Sequence, residues 1–182
     1  MPATAASGSP VDSAPEEFVY CPRCATPLVT RPVMDKPRRV CPACNYVYFT
    51  DPKVGVGVMV VENGRLLLVR RGMAPEKGKW SIPAGFVDRG EDPQATAVRE
   101  AAEETGLQVE ITGLVDVYFN PAARPNQPGA SIFILYRADC VGGQLEAGDD
   151  ATAAAFFALD HLPEIAFAST RDAIERLRAA HS

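Results

Sequence analysis

Apolar residues alternate along 54–62 (VGVGVMVVE) and run together from Leu66 to Val69, with Asn63-Gly64 between the two runs. Alternation of β-branched side chains reads as a strand, and Asn-Gly joining two such runs reads as a two-residue hairpin turn. A hairpin is therefore expected over 54–62 and 65–71, then a loop over 72–79 and a short strand over 80–83. From Asp92 the pattern changes to that of a helix over 92–105. Asp92 is placed to cap it, Pro93 sits at the first helical position, and Gly106 supplies a left-handed stop with Leu107 closing the cap. Ala95, Val98, Ala102 and Thr105 make the narrow face of small residues expected to lie on a sheet. Strands are expected over 108–119 and 131–139, separated by a proline-bearing surface loop over 120–130. A short strand near 153–157 and an amphipathic helix over 169–180 complete the pattern, which predicts a mixed α and β, sheet-centred domain.

Ahead of this domain four of the five cysteines form two C-x-x-C pairs, Cys21/Cys24 and Cys41/Cys44, sixteen residues apart. Two such turns can aim four thiolates at one point, the spacing of a structural zinc site. A segment of about 30 residues cannot build a self-sufficient core, so metal binding would supply its folding energy. The alternative, a redox dithiol, belongs in a βαβ context that is missing here. Cys140, flanked by apolar residues, reads as a small buried hydrophobe. The chain is thus expected to divide into a disordered Ala/Ser/Pro-rich tail over 1–17, a zinc ribbon over 18–50 and a main domain over 51–182.

With 182 residues, 47% hydrophobic and 23% charged, the chain can bury a sizeable core. Its net charge of −5 offers no global attraction to nucleic acid or anionic membrane. No apolar run is long enough to span a bilayer, and the N-terminus lacks the basic and apolar regions of a secretory signal. A cytoplasmic protein without a membrane partner is expected.

The chemistry concentrates between Gly85 and Leu107, GFVDRGEDPQATAVREAAEETGL. Glu100, Glu103 and Glu104 are spaced i, i+3, i+4, so a helix puts them on one side, where like charges repel. Such a cluster is explained by a cation in front of it, and carboxylate oxygens select Mg2+ or Mn2+. The segment fills every fixed position of G-x5-E-x7-R-E-U-x-E-E-x-G-U, with Ala101 and Leu107 in the apolar slots U. In this it resembles the Nudix hydrolases.

The resemblance implies an α/β fold, the Nudix-type α/β/α sandwich with a mixed sheet, preceded here by the small zinc ribbon. It also implies metal-dependent hydrolysis of a phosphoanhydride. Glu100, Glu103 and Glu104 match the family's metal ligands, and Glu103 or Glu104 could orient the water. The carbonyl of Ala84 matches one that completes the metal shell. Glu91 and Arg99 match a pair that holds the loop to the helix. A further acid beyond the motif often joins the site; Asp150 is the candidate for it, against the plain reading of a turn aspartate beside Gly148. Arg70, Arg71, Lys77 and Lys79 are candidates to hold phosphates, and Tyr118 or Phe119 to stack a ring, although strand aromatics more often belong to a core.

A ribbon ahead of such a domain resembles the NADH pyrophosphatases and related ADP-ribose and FAD pyrophosphatases. The NADH enzymes carry S-Q-P-W-P-F-P-x-S shortly after the motif, and the corresponding stretch here, VDVYFNPAARPNQPGAS, does not. Pro121 lies where ADP-ribose enzymes often have proline. The expected substrate is therefore a nucleoside diphosphate linked to another moiety: ADP-ribose, FAD or NAD(H), in that order, releasing a monophosphate such as AMP. Two other readings stay open. One is a decapping-type hydrolase on nucleotide-capped RNA, with Lys36, Arg38 and Arg39 of the ribbon as the nucleic-acid contact; the acidic bulk charge leaves it unfavoured. The other is a non-catalytic Nudix-type sensor, although such proteins lose motif glutamates and none is lost here. The resemblance also allows a homodimer, which no residue of the sequence demands.

Overall fold

The computed structural model describes residues 18–49, 52–121 and 131–180. The expected tail, 1–17, and residues 122–130 of the expected proline-bearing loop lie outside the described residues. Residues 18–49, with 52 and 121, form one compact unit; residues 53–120 with 131–180 form another.

In the first unit each C-x-x-C pair closes a turn of the same design. The amide of Ala25 donates to Cys21 O and that of Asn45 to Cys41 O, at 2.9 and 3.0 Å. Ala25 and Asn45 both take φ of 57°, the left-handed conformation that turns the chain back. Backbone amides of Arg23 and Cys44 point at the sulfurs of Cys21 and Cys41, each at 3.4 Å. Sulfur–sulfur distances are 3.6 Å (Cys21–Cys44), 3.5 Å (Cys24–Cys41) and 3.6 Å (Cys24–Cys44). A tetrahedron of zinc–sulfur bonds of about 2.3 Å has edges of roughly 3.8 Å, so the cluster fits a zinc ion. Three short antiparallel strands carry the turns: β1 (Val29–Val33), β2 (Lys36–Val40) and β3 (Val47–Tyr48), in the order β1-β2-β3. The core beneath them is small: Leu28 with Cys21 and Cys41, flanked by Phe18 and Tyr46.

The second unit is built on a mixed sheet. Its strands are β4 (Lys53–Glu62), β5 (Arg65–Arg71), β6 (Trp80–Ser81), β7 (Ala84–Phe86), β8 (Leu107–Asn120), β9 (Ser131–Gly143) and β10 (Ala151–Ala158). The main path runs β10-β5-β4-β9-β8, with β4 and β9 parallel and the other neighbours antiparallel. Helix α1 (Pro93–Thr105) covers one face, over Val56, Val58, Val60, Leu67 and Tyr136. Helix α2 (Ala168–Ala180) covers the other, over Met59, Leu66, Leu68, Ile82 and Leu135. Leu66, Leu67 and Leu68 are completely buried because consecutive side chains of β5 enter opposite layers. Each contributes about 1.5–3 kcal/mol by leaving water. Asn63 and Gly64 take φ of 50° and 73°, as a tight hairpin turn requires. Cys140 is half-buried against the α1 layer. Among the described residues no helix is long and apolar enough to cross a membrane.

Beyond the hairpin β4 and β5 part company. They pair only at Val61↔Leu66 and Glu62↔Arg65; further on, β5 pairs β6 and β4 pairs β7. The strand expected over 80–83 therefore ends at Ser81, and after a crossing at 82–83 the chain forms a second strand, β7. Pro83 has no amide to offer a ladder, and its carbonyl accepts from Val58 N at 3.1 Å as the chain passes from one strand to the other. This wedge sets Ala84 and Gly85 against α1.

Helix α1 has the expected ends. Asp92 accepts from the amides of Gln94 and Ala95, Pro93 begins the helix, and Gly106 stops it at φ 69°. Its packed face differs from the expected one. Ala95 and Ala102 are exposed and Val98 is half-buried; the buried arc is Thr96, Ala97, Ala101, Glu104 and Thr105. The helix is rotated so that Glu104 points inward, where a backbone amide receives it, and Ala97 and Ala101 lie on the same arc.

Two outcomes are expected. Metal analysis should find about one zinc per chain, and a chelator should leave the Cys21 and Cys41 amides, now bonded to Thr26 O and Tyr46 O, exchanging freely by NMR. A Cβ on Gly106 would lie 2.4 Å from Gln144 O, so Gly106→Ala should cost at least about 1 kcal/mol in urea unfolding.

Candidate functional site

The inward-facing Glu104 is 5% exposed, and its Oε2 accepts from the Ala84 amide at 2.8 Å. That bond joins the helix to the wedge between β4 and β5. Gly85 follows, and a Cβ there would lie 2.0–2.4 Å from the carboxyl atoms of Glu100. Only glycine lets the Glu100 carboxyl lie against this backbone.

Asp150 arrives by a different route. The last carbonyls of α1 have no partner within the helix, and the segment after β9 supplies donors to them. Glu146 N donates to Thr105 O at 2.9 Å and Gly148 N to Glu104 O at 3.2 Å. The approach is close: a Cβ on Gly148 would meet Glu103 O at 2.4 Å, and one on Gly143 would meet Gly106 O at 2.3 Å. Seated in this way, the segment turns at Asp149 (φ 48°) and sets the Asp150 side chain against Glu104. The Asp150 carbonyl then accepts from Gly72 N at 2.9 Å, which brings the start of the 72–79 loop to the same place.

The electrostatics follow from this crowding. Burial pushes the Glu104 carboxyl up to about 8; the Ala84 amide opposes the rise, and Asp150 and Glu100 add to it. Burial also raises Glu100, against Arg99, with Glu103 and Asp149 assisting. Carboxyl groups crowded together in this way favour a positive partner. Hard oxygen donors in such a setting suit Mg2+ or Mn2+, so the residues present fit a divalent ion.

Glu103 stands differently. Its carboxylate is exposed and meets Arg99 Nη1 at 2.7 Å, while the same nitrogen lies 3.0 Å from Glu100 Oε1. Arg99 Nη2 reaches Glu91 Oε2 at 3.3 Å. Partial burial lowers the Arg99 pKa, and Glu103, Glu100 and Glu91 more than reverse this. Glu91 Oε2 also accepts from Asp88 N and from the Thr96 hydroxyl, each at 3.0 Å. These bonds, the Asp88 amide first, hold the Glu91 carboxyl below its ordinary range. Among the described residues only the four cysteines bring three or more ligand atoms within 4.8 Å of one another; the helix carboxylates do not close up that far.

Three of the four basic candidates are engaged by neighbouring groups, and Lys77 is exposed. Arg70 Nε donates to Gly78 O at 3.0 Å, and Arg71 Nε to Pro75 O at 2.9 Å, with its guanidinium 4.9 Å from the Phe167 ring centre. Lys79 Nζ pairs with Glu76 at 2.7 Å and Glu164 at 3.0 Å. Tyr118 faces the Phe133 ring, with centroids 6.5 Å apart. It packs in the α2 layer, its hydroxyl donates to Asp172 at 3.0 Å, and burial, with that bond, pushes it up to about 12. Thr96, Asp149 and the seat glycines Gly143 and Gly148 escaped sequence reasoning. Gly148-Asp149-Asp150 did carry a signal, since glycine before two acids marks a turn.

With this geometry in view, the relatives are informative. The NUDIX domain family matches residues 51–177. An ADP-ribose pyrophosphatase of Methanocaldococcus jannaschii is 40% identical over 122 residues, 67% of this chain and 71% of the relative. The NAD-capped RNA hydrolase NudC of Chromobacterium violaceum is 32% identical over 167 residues, 87% of this chain and 59% of the relative. A crystal structure of a NUDIX hydrolase from Nitrosomonas europaea superposes with a TM-score of 0.77 at 30% identity, covering 87% of this chain and 89% of that one. The chain therefore belongs to the NUDIX family and is a pyrophosphohydrolase.

Proposed function

We propose that the chain hydrolyses the phosphoanhydride of a nucleoside diphosphate linked to a second moiety, with ADP-ribose first, then FAD and NAD(H), releasing a monophosphate such as AMP. The observation that carries this reading is the gathering of Glu100, the buried Glu104 and Asp150 beside the Ala84–Gly85 backbone. The similarity to an ADP-ribose pyrophosphatase supports placing ADP-ribose first.

A bound divalent ion would neutralise phosphate charge and acidify a water. Glu100, Glu104, Asp150 and the Ala84 carbonyl would hold it, with Glu103 available on the exposed side of the helix. The proton of the attacking water passes to a carboxylate. Glu103 or Glu104 would orient the water. Glu91, through Thr96 and the Asp88 amide, ties the 88–91 turn to α1, and Arg99 adds a bridge to Glu100 and Glu103. Both act on geometry before chemistry. Arg70, Arg71 and Lys79 would exchange their present partners for phosphate oxygens, and Tyr118 would supply a ring for stacking.

Glu103→Gln and Glu104→Gln should each lower AMP release from ADP-ribose with Mg2+ by at least about a hundredfold. Glu104→Gln should not lower the melting temperature, since an amide can still accept from Ala84 without a buried charge. Unchanged turnover in both variants, read by mass spectrometry, would refute the site. Asp150→Asn removes the repulsion at Glu104, and it should raise the Mg2+ concentration needed for half-maximal rate; a titration of rate against Mg2+ reads this directly.

A further inference from the structure

Charge is divided unevenly along this chain. Residues 18–49 hold five Lys and Arg against one Asp, a formal +4, which leaves −9 on all other residues of a chain whose net charge is −5. The four thiolates outweigh one zinc ion by two charges, and the ribbon stays cationic.

Three of those cations share one face. Arg31 and Arg38 are directly opposite in the β1–β2 pair, and Lys36, two residues before Arg38, lies on the same side. Like charges facing each other across a ladder are destabilising. Arg31 and Lys36 form no ion pair among the described residues, and the buried Nε of Arg38 has no hydrogen-bond partner. The Arg38 guanidinium lies 4.6 Å from the centre of the Phe49 ring, which is 45% exposed. Arg39 does not belong to this set. It sits opposite Thr30 on the other face, and its guanidinium donates to Phe18 O, Leu28 O and the Thr30 hydroxyl.

We propose that the Arg31–Lys36–Arg38–Phe49 face of the ribbon binds single-stranded nucleic acid, with phosphates on the three cations and a base stacked at Phe49. Unpaired like charges on a short sheet call for a polyanion. A ring already paired with a guanidinium offers the planar surface on which unstacked bases settle. An anionic lipid surface competes for the same cations, since Met34 in the turn between β1 and β2 is exposed and free to insert; a ring beside the cations at Phe49 favours a stacked base over a lipid tail.

The test uses the full zinc-loaded chain and a labelled single-stranded RNA of about 12 nucleotides with a plain 5′-hydroxyl. Fluorescence anisotropy without Mg2+ reads binding apart from turnover, so its outcome does not depend on which diphosphate is cleaved. Binding should weaken from about 50 to 200 mM salt with a log–log slope near −2, as about three phosphate contacts require. R31E/K36E/R38E should weaken it at least about tenfold and flatten that slope. Phe49→Leu should weaken it severalfold with the slope unchanged. AMP release from ADP-ribose should match the parent in both variants. Zinc content is measured alongside; if the triple variant loses metal, the exposed Arg31→Ala carries the same expectation with a smaller effect and a slope shallower by roughly 0.7. Binding indifferent to these changes would overturn the proposal. So would preferential partition of the parent chain to phosphatidylcholine–phosphatidylglycerol vesicles over RNA.

Discussion

A carboxyl group buried between a helix and a sheet must be given a donor, and the Ala84 amide is the donor given to Glu104. The rotation of α1, the path of the chain across the wedge and the closeness of Glu100 to Gly85 are all compatible with that one bond. Its cost is large. A rise from 4.5 to about 8 corresponds to on the order of 5 kcal/mol against the ionised form. Because the folded value lies above the unfolded one, Glu104 takes nothing from stability below about pH 4.5 and progressively more as pH climbs toward 8. Folding thus tolerates at neutral pH a group it would be steadier without, the usual mark of a site kept for chemistry.

The wedge explains how the site is assembled from distant parts of the chain. Strands β4 and β5 are joined at Asn63-Gly64, yet each soon acquires a different partner. The crossing segment that fills the gap presents backbone, not side chains, to the helix. On the other side, the segment after β9 satisfies the last carbonyls of α1 and delivers Asp150. Helix capping and acid placement are one event here.

Much of this was legible before any coordinates. Asp92, Pro93 and Gly106 mark the ends of α1 because capping is local chemistry, and Asn63-Gly64 marks the hairpin for the same reason. The two cysteine pairs were legible because a tetrahedral ion dictates their spacing. The rotation of α1 was not. Small residues lie all round this helix, so apolar periodicity could not choose among Ala95, Ala97, Ala101 and Ala102, and the deciding contact, Ala84 with Glu104, is twenty residues apart in sequence. The strand expected over 80–83 hid its break because pairing partners are set by the tertiary path. The basic residues were visible as charges, while their loop carbonyl and carboxylate partners were not. On the ribbon, Arg39 read as an equal of Arg38 until the register separated their faces.

The glycines around the carboxylates invert the usual relation between side chain and importance. At residues 85, 106, 143 and 148 an added Cβ would meet a carboxyl or backbone oxygen within 2.4 Å. The tolerance of this region to sequence change should therefore be lowest where there is least to remove. In a library of single substitutions scored for folding, a single methyl at residues 106, 143 or 148, where it would meet backbone oxygen, would do more harm than the exchange of Ala95 or Ala102 on the exposed side of α1.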